Sequence, residues 1–411
     1  MTLPQPQDRY PTHGDLVLVL NCGSSSIKFA LFDGGQTPLP RKPVWNGKVQ
    51  GIGRTPTTFG ETGVVPLPVE LDERRPYHAA LNLIREKVLA RLDGRKLAAV
   101  AHRVVHGGSR YSTPTRVTTQ VLEDLRSYIP LAPLHQPFAL EAIGELLQSR
   151  PDLPQVACFD TGFHRTLPQV EQMMALPYAC WEQGLRRYGF HGLSYDYIAR
   201  ALPDRIGEAA RGKVIVAHLG SGASLCAMEN LSSVATTMGF SALEGLMMGT
   251  RCGSLDPGAV LYLMEIEKLS LEEVGQVLYH HSGLFGVSGV SADPPVLLAR
   301  EHEDSIEGER IRAALALWVR RIVREIGALT AVLGGLDALV FTAGIGEHSE
   351  VLRERICREL GWLGVWMDAA ANATHGPIIS TPQSRVTVVV EPTNEEWIAA
   401  VQALDVVASA P

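Results

Sequence analysis

Short apolar runs, each closed by a cluster of small or polar residues, recur along the chain. Leu16–Leu20 leads into Asn21-Cys22-Gly23-Ser24-Ser25-Ser26, with Lys28 close behind. The stretch 98–105 (AAVAHRVV) ends in His106-Gly107-Gly108, 155–160 (QVACFD) in Thr161-Gly162, and 213–218 (KVIVAH) in Leu219-Gly220-Ser221-Gly222. Further on, 337–341 (DALVF) meets Thr342-Ala343-Gly344-Ile345-Gly346, and 386–390 meets Glu391-Pro392-Thr393-Asn394-Glu395. Runs this short, rich in Val, Ile and Leu and bounded by turn residues, predict buried strands. Between 311 and 333 the period changes. Leu315, Trp318, Ile322, Ile326 and Leu329 recur at three- and four-residue steps, while Arg320, Arg321, Arg324 and Glu325 mostly occupy other faces. That spacing predicts a long amphipathic helix, stopped by Gly334-Gly335. Strands alternating with helical stretches define an α/β protein.

Two of these units look alike. VLVLNCGSSSIKFALF and VIVAHLGSGASLCAME both read as strand, Gly/Ser turn, strand. A weak internal duplication, with two phosphate-cradling turns facing each other across a cleft, accounts for both. Two unrelated hairpins punctuated by Gly and Ser account for them equally well. Polyphosphates are gripped by N–H and O–H donors on backbone that approaches closely, which selects Gly and Ser. The turns 22–26, 220–224 and 344–346 meet that description. The chain holds no G-x-x-x-x-G-K-[ST] loop, no G-x-G-x-x-G and no G-x-S-x-G elbow.

At 411 residues the chain exceeds the size at which one hydrophobic core stops growing, so two domains are expected. A composition of 45% hydrophobic and 20% charged residues is ordinary for a globular protein. The net charge of −7 gives no electrostatic case for nucleic acid or an anionic membrane as partner, so anionic substrates must be met by local Arg and Lys. Six cysteines are scattered without a CxxC pair, which argues against a zinc site or disulfide framework and suits a reducing cytosol. Residues 1–14 read as a loose polar tail rather than a signal peptide, and no apolar run is long enough to span a bilayer. A soluble, cytoplasmic protein is expected.

Between the turns lie residues that carry chemistry. Arg103 sits inside an apolar strand, and its guanidinium needs an anion there: either a substrate carboxylate or phosphate, or a carboxylate of the protein itself. Asp160 ends another strand, where a metal, a substrate or a simple turn would each account for it. Arg187-Tyr188-Gly189-Phe190-His191-Gly192 fixes a histidine between glycines, and Gly249-Thr250-Arg251-Cys252-Gly253 presents an arginine in a tight loop. Glu244 and Glu347 read as solvated or capping carboxylates.

Together these stretches resemble the acetate kinase family, part of the sugar kinase, actin and heat-shock ATPase superfamily. The similar blocks are NCGSSSIKF, AHRVVHGG, LAPLHQP, FDTGFHRTLP, RRYGFHG, HLGSGAS, TTMGFSALEGLMMGTRCGSLDP, SGLFGVSGVS, FTAGIGEHS and EPTNEE, in family order over residues 21–396. The resemblance implies two ribonuclease H-like domains with mixed sheets flanked by helices and the active site in the cleft between them. The expected boundaries are 15–162 plus 396–411 for an acyl-binding domain closed by the C-terminal helix, and 163–395 for a nucleotide-binding domain. It also implies a homodimer and Mg²⁺-dependent phosphoryl transfer from ATP to acetate, giving ADP and acetyl phosphate, with Mn²⁺ as a substitute metal.

Carried over by motif, Asn21 and Glu395 hold Mg²⁺, and Ser24, Ser26 and Lys28 lie near the phosphates. Arg103 holds the substrate carboxylate, Asp160 is the catalytic carboxylate, and His191 and Arg251 stabilise the transition state. His218, Leu219, Gly220, Ser221 and Gly222, Asp293, and Gly344, Ile345, Gly346, Glu347 and His348 contact the nucleotide. Val105, Leu134, Phe190 and Ala242 wall the acyl pocket. Acetate oxygen is already a nucleophile at neutral pH, so the chemistry asks for in-line placement and positive charge rather than a strong base.

Several positions depart from the family pattern. HLGNG reads HLGSG, GIGEN reads GIGEH, D-[MF]-R reads Asp293-Pro294-Pro295, LHNP reads Leu134-His135-Gln136-Pro137, and HGTSH reads His191-Gly192-Leu193-Ser194-Tyr195. Two readings follow: drift in a loosely contacted adenine pocket, or an altered donor preference extending to pyrophosphate. Ala242 replaces a family proline, which leaves room for a methylene and predicts that propionate is accepted. A propionate or other short-chain acyl kinase is the sibling alternative. A non-catalytic nucleotide-binding switch is the alternative from another class.

Overall fold

The computed structural model describes residues 15–133 and 135–409; the expected tail 1–14 and the pocket residue Leu134 lie outside the described residues. The chain divides into two compact units, one ending at Gly162 and resuming at Asn394, the other running from Phe163 to Thr393. The first carries strands β1 (Leu16–Cys22), β2 (Ser26–Asp33), β3 (Trp45–Gln50), β4 (Thr58–Glu61), β5 (Leu67–Pro68), β6 (Leu97–Val104), β7 (Thr115–Arg116) and β8 (Gln155–Phe159). The second carries β9 (Val214–Leu219), β10 (Ala223–Glu229), β11 (Ser232–Thr236), β12 (Ala338–Thr342) and β13 (Thr387–Val390).

The strand orders are β5-β4-β3-β2-β1-β6-β8-β7 and β11-β10-β9-β12-β13. Their cores match. β3-β2-β1 and β11-β10-β9 are antiparallel ribbons, to which β6 and β8, and β12 and β13, add in parallel. The two look-alike hairpins of the sequence are thus β1–β2 and β9–β10, at equivalent places in two repeats of one topology.

In the first unit, helix Gln136–Ser149 packs on β1 and β6, and helix Glu395–Ala408 packs on β1, β6 and β8. The second of these buries Ile398, Ala399, Ala400 and Ala403, small residues that let its backbone approach the sheet. Asn394 caps it by accepting from the Trp397 N–H and donating to the Arg41 carbonyl, and the Trp397 indole donates to the Leu39 carbonyl.

In the second unit, Ile306–Leu333 buries Leu315, Trp318, Ile322, Ile326 and Leu329, as the sequence spacing predicts, each worth roughly 2 kcal/mol of burial. The helix starts five residues before the expected Ile311, because Ser305 caps the Gly308 N–H and Glu307 and Glu309 meet the helix dipole. Gly334, at φ 68°, ends it as expected. One expectation is corrected. Gly344-Ile345-Gly346 is not a turn but the middle of a short helix, Ala343–His348, entered through Ala343 at φ 64°. Among the described residues no helix is long and apolar enough to cross a membrane.

Candidate active site

In the first unit the parallel strands deliver their chemistry at one edge, where open α/β sheets bind ligands. Asn21 lies one step beyond the Leu20–His102 pair of β1 and β6. Arg103 pairs with Cys158 across β6 and β8, and Asp160 follows the end of β8. Arg103 holds Asp160 bidentately, Nε to Oδ1 at 2.9 Å and Nη2 to Oδ2 at 2.8 Å, and its Nη1 meets Glu395 Oε2 at 3.0 Å. A protein carboxylate is therefore what satisfies Arg103 here, one of the two partners the sequence left open. Burial works against the guanidinium charge, but Asp160 and Glu395 outweigh it and drive its pKa upward. Burial also pushes the Asp160 carboxyl up, with Arg103 pulling against it.

The adjoining loop is braced by Gln136, which donates to the His106 carbonyl at 2.8 Å and accepts from the His106 N–H at 3.1 Å. A Cβ on Gly107 would stand 1.9 Å from the Tyr111 carbonyl oxygen, so that position admits only glycine. Val105, the first residue past β6, opens this loop and is half-buried. Ser24 and Lys28 are exposed and Ser26 half-buried around the β1–β2 turn, which closes through Gly23 N–H to the Ser26 carbonyl at 2.8 Å.

The second unit gathers a different set. His191 sits in the left-handed region at φ 59°, just before helix Gly192–Ile206, a conformation that costs roughly 1–2 kcal/mol. Its ring stacks on His218 at 4.1 Å, and His218 Nδ1 lies 2.9 Å from Ser194 Oγ. His191 Nδ1 lies 2.8 Å from Ser224 Oγ, on the strand β10. Arg251 donates from Nη1 to the Ala242 carbonyl at 2.7 Å, and among the described residues no carboxylate pairs with it. Burial pulls its pKa down, with Tyr279 opposing.

A Cβ on Gly222 would lie 2.5 Å from Arg251 Nη2 and 3.4 Å from His191 Nε2. The missing side chain keeps a niche into which an imidazole and a guanidinium both point. The 249–251 loop is stitched to the 220–222 turn by Gly249 N–H to the Ser221 carbonyl at 3.2 Å, and a Cβ on Gly249 would meet the Ala292 carbonyl oxygen at 3.3 Å, beside exposed Asp293. His218 and Leu219 close β9, and Gly220 N–H reaches the Gly222 carbonyl at 3.1 Å.

Glu347 is neither solvated nor a cap of its own helix: its Oε1 accepts from the Thr393 N–H at 3.1 Å. Glu244 pairs with Arg187 at 3.0 Å, and Arg187 also donates to the Thr236, Thr237 and Met238 carbonyls, setting the segment that carries Ala242. Phe190 is buried, and its carbonyl accepts from His164 Nε2 at 2.9 Å. His348 is exposed at the end of its helix.

Sequence reasoning gave no individual role to Ser224, Gln136 or Arg353. Arg353 is 1% exposed and donates to the Gly346 and Glu347 carbonyls at 2.8 Å, tying down helix Ala343–His348. The signal was present: 353 shares the apolar face of Leu352, Ile356 and Cys357 in helix Glu350–Glu359.

Among the described residues no three His, Cys, Asp or Glu side chains form a metal cage. The oxygen donors of Glu395, Asp160 and Asn21, beside a buried Thr161 hydroxyl without a hydrogen-bond partner, suit a hard divalent cation that keeps its waters and takes phosphate oxygens.

Two repeats of a five-stranded ribonuclease H-like core, carrying Gly/Ser turns and an uncompensated arginine, define an α/β phosphotransferase. The acetokinase family model matches residues 16–401. An acetate kinase of Rhodopseudomonas palustris is 48% identical over 391 residues, 94% of this chain and 97% of its own. The crystal structure of Porphyromonas gingivalis acetate kinase aligns with a TM-score of 0.81 at 35% identity, over 95% of this chain and 99% of its own. That of a propionate kinase from Francisella tularensis aligns with a TM-score of 0.85 at 32% identity, over 94% and 98%. The chain belongs to the acetokinase family. It is a kinase with a carboxyl group as acceptor, its activity is that of an acetate kinase, and the ATP-dependent reaction implies a divalent metal. The nucleotide-switch alternative is set aside.

Proposed function

We propose that the chain transfers the γ-phosphoryl group of ATP directly and in line to acetate, reversibly and with Mg²⁺, and that Mn²⁺ can replace the magnesium. The supporting observation is Arg251: a half-buried guanidinium, fixed by one carbonyl and, among the described residues, given no carboxylate. Such a charge is held ready for an anion that arrives with the substrate. In this reading His191 and Arg251 donate to the equatorial oxygens of the migrating group. Arg103 exchanges part of its carboxylate shell for the acetate carboxylate, while Asp160, the catalytic carboxylate, keeps the guanidinium plane fixed. Asn21 and Glu395 hold Mg²⁺, which neutralises phosphate charge when bound. Ser24, Ser26, Lys28, the 218–222 turn, Asp293 and the 344–348 helix receive the nucleotide. Val105, Leu134, Phe190 and Ala242 surround the acyl methyl, and the small Ala242 leaves room for propionate.

The same reading takes the protein to be a cytoplasmic homodimer. Exposed Leu261, Tyr262, Ile266 and Leu271, in and just after helix Pro257–Glu265, support an apolar face that a second copy covers. Trapping acyl phosphate with hydroxylamine tests the activity, using acetate, propionate and butyrate against ATP, GTP and pyrophosphate. Acetyl hydroxamate should form fastest with ATP and acetate, with propionate next. No hydroxamate with any pair ends the reading, and turnover with pyrophosphate matching ATP would support the altered-donor alternative.

A further inference from the structure

Behind His191 runs a buried chain of hydroxyls whose protons can be accounted for completely. Ser224 is fully buried on β10 and touches two polar side-chain atoms: His191 Nδ1 at 2.8 Å and the Tyr195 hydroxyl at 2.5 Å. Tyr195, on the first turn of helix Gly192–Ile206, is also fully buried, and Ser224 is its one hydrogen-bond partner among the described residues. Burial raises the Tyr195 pKa well above the ordinary range, so the phenol keeps its proton.

That proton has one acceptor within reach, Ser224 Oγ. Once Ser224 accepts from Tyr195, its own hydrogen can go only to His191 Nδ1. With the hydrogen on His191 Nδ1 instead, either the Tyr195 proton or, if Ser224 accepts from both neighbours, the Ser224 proton is stranded in the interior, a state that native structures avoid. From this accounting we infer that Tyr195 and Ser224 are positioning residues that fix the tautomer of His191: Nδ1 accepts, and Nε2 carries the hydrogen. Nε2 is the nitrogen that points into the niche over Gly222 beside Arg251. The lock therefore turns His191 into a hydrogen-bond donor aimed where the guanidinium also donates, and stacked His218 holds the ring plane.

The groups facing this chain are His218 and Arg251 around His191, with His164 and Cys226 around Tyr195. None of them offers Ser224 a second acceptor. Tyrosine suits the remote end of the lock because a phenol always donates at neutral pH, whereas a histidine there would titrate and could send the chain in either direction. The inference rests on the role proposed for His191 above, but its test does not depend on turnover.

The experiment is ¹⁵N NMR of ring-labelled histidine in the full chain, with His191 assigned through His191→Gln, alongside steady-state kinetics. Wild type should show His191 as the neutral Nε2–H form at pH 8. Tyr195→Phe and Ser224→Ala should shift it toward Nδ1–H or a mixture. In Ser224→Ala kcat should fall about 10-fold or more while acetate and ATP KM change less than threefold, the usual scale for losing a group that orients a functional histidine. An Nδ1–H or doubly protonated His191 in wild type overturns the inference. So does an Nε2–H signal that survives both substitutions, or a kcat that does. A wild-type Nε2–H signal in a chain that makes no acetyl hydroxamate would leave the lock standing and remove the kinase role instead.

Discussion

Arg103 and Arg251 are both half-buried guanidiniums, and their surroundings are opposite. Arg103 is ringed by two carboxylates, which raise its pKa against the pull of burial. Arg251 meets one backbone carbonyl, and burial lowers its pKa. The first is an ion cluster complete without substrate, so a ligand entering it exchanges one anion for another and gains little. Among the described residues no carboxylate cancels the charge of the second, so under the proposed role an incoming phosphoryl group meets it at nearly full strength. On the proposed reading, the first cluster serves stability and the second serves the reaction.

That contrast can be broken from either side. The largest effect is expected from Arg251→Ala: kcat should drop on the order of a thousandfold with a modest change in acetate KM, measured by coupled assay. The fold should lose little, because no carboxylate is orphaned. Unchanged turnover would remove Arg251 from the reaction. Arg103→Ala should instead cost stability, on the order of 3 kcal/mol by urea unfolding, since it strands Asp160 and Glu395 together, and should also raise acetate KM. Equal unfolding midpoints for the two variants would erase the distinction.

Acid offers a probe of each unit separately. Burial lowers His102 in the first unit and His164 in the second to about 4, against an ordinary 6.5. The unfolded chain takes up these protons near pH 6.5 and the fold only near 4. Their contribution is therefore complete above 6.5 and is lost as pH falls from 6.5 toward 4, by up to about 3 kcal/mol each. A urea midpoint that stays level over that range contradicts both assignments. The smallest effect should come from Ala242→Pro, which ought to penalise propionate relative to acetate by about 1–3 kcal/mol in kcat/KM. An equal penalty on both acids takes Ala242 out of the acyl wall.

Much of this was legible before any coordinates, for local reasons. The apolar runs at 16–20 and 213–218 had to be strands, and their Gly/Ser endings marked the repeat that the two sheet topologies display. Trp318 and Ile322 announced the long helix through spacing alone. What stayed hidden depends on residues far apart in the chain. That Glu395 would close the shell of Arg103 could not be read from either motif, because nothing local says which anion a buried guanidinium meets. The Gly344-Ile345-Gly346 stretch looked like a turn because glycines usually break helices, yet Arg353 donates to the Gly346 and Glu347 carbonyls and ties it down as a helix. Ser224 passed as the last residue of the 220–224 turn, and nothing local sets Tyr195 beside it.

The helix Glu395–Ala408 belongs to the first unit although it follows the last strand of the second. During biosynthesis the amino-terminal half therefore emerges from the ribosome lacking the cover of its sheet and the Glu395 partner of Arg103. The later-made unit, whose residues are contiguous, is free to mature before the earlier one, reversing the usual vectorial order. For this polypeptide, Glu395–Ala408 has to be made before the first unit can close.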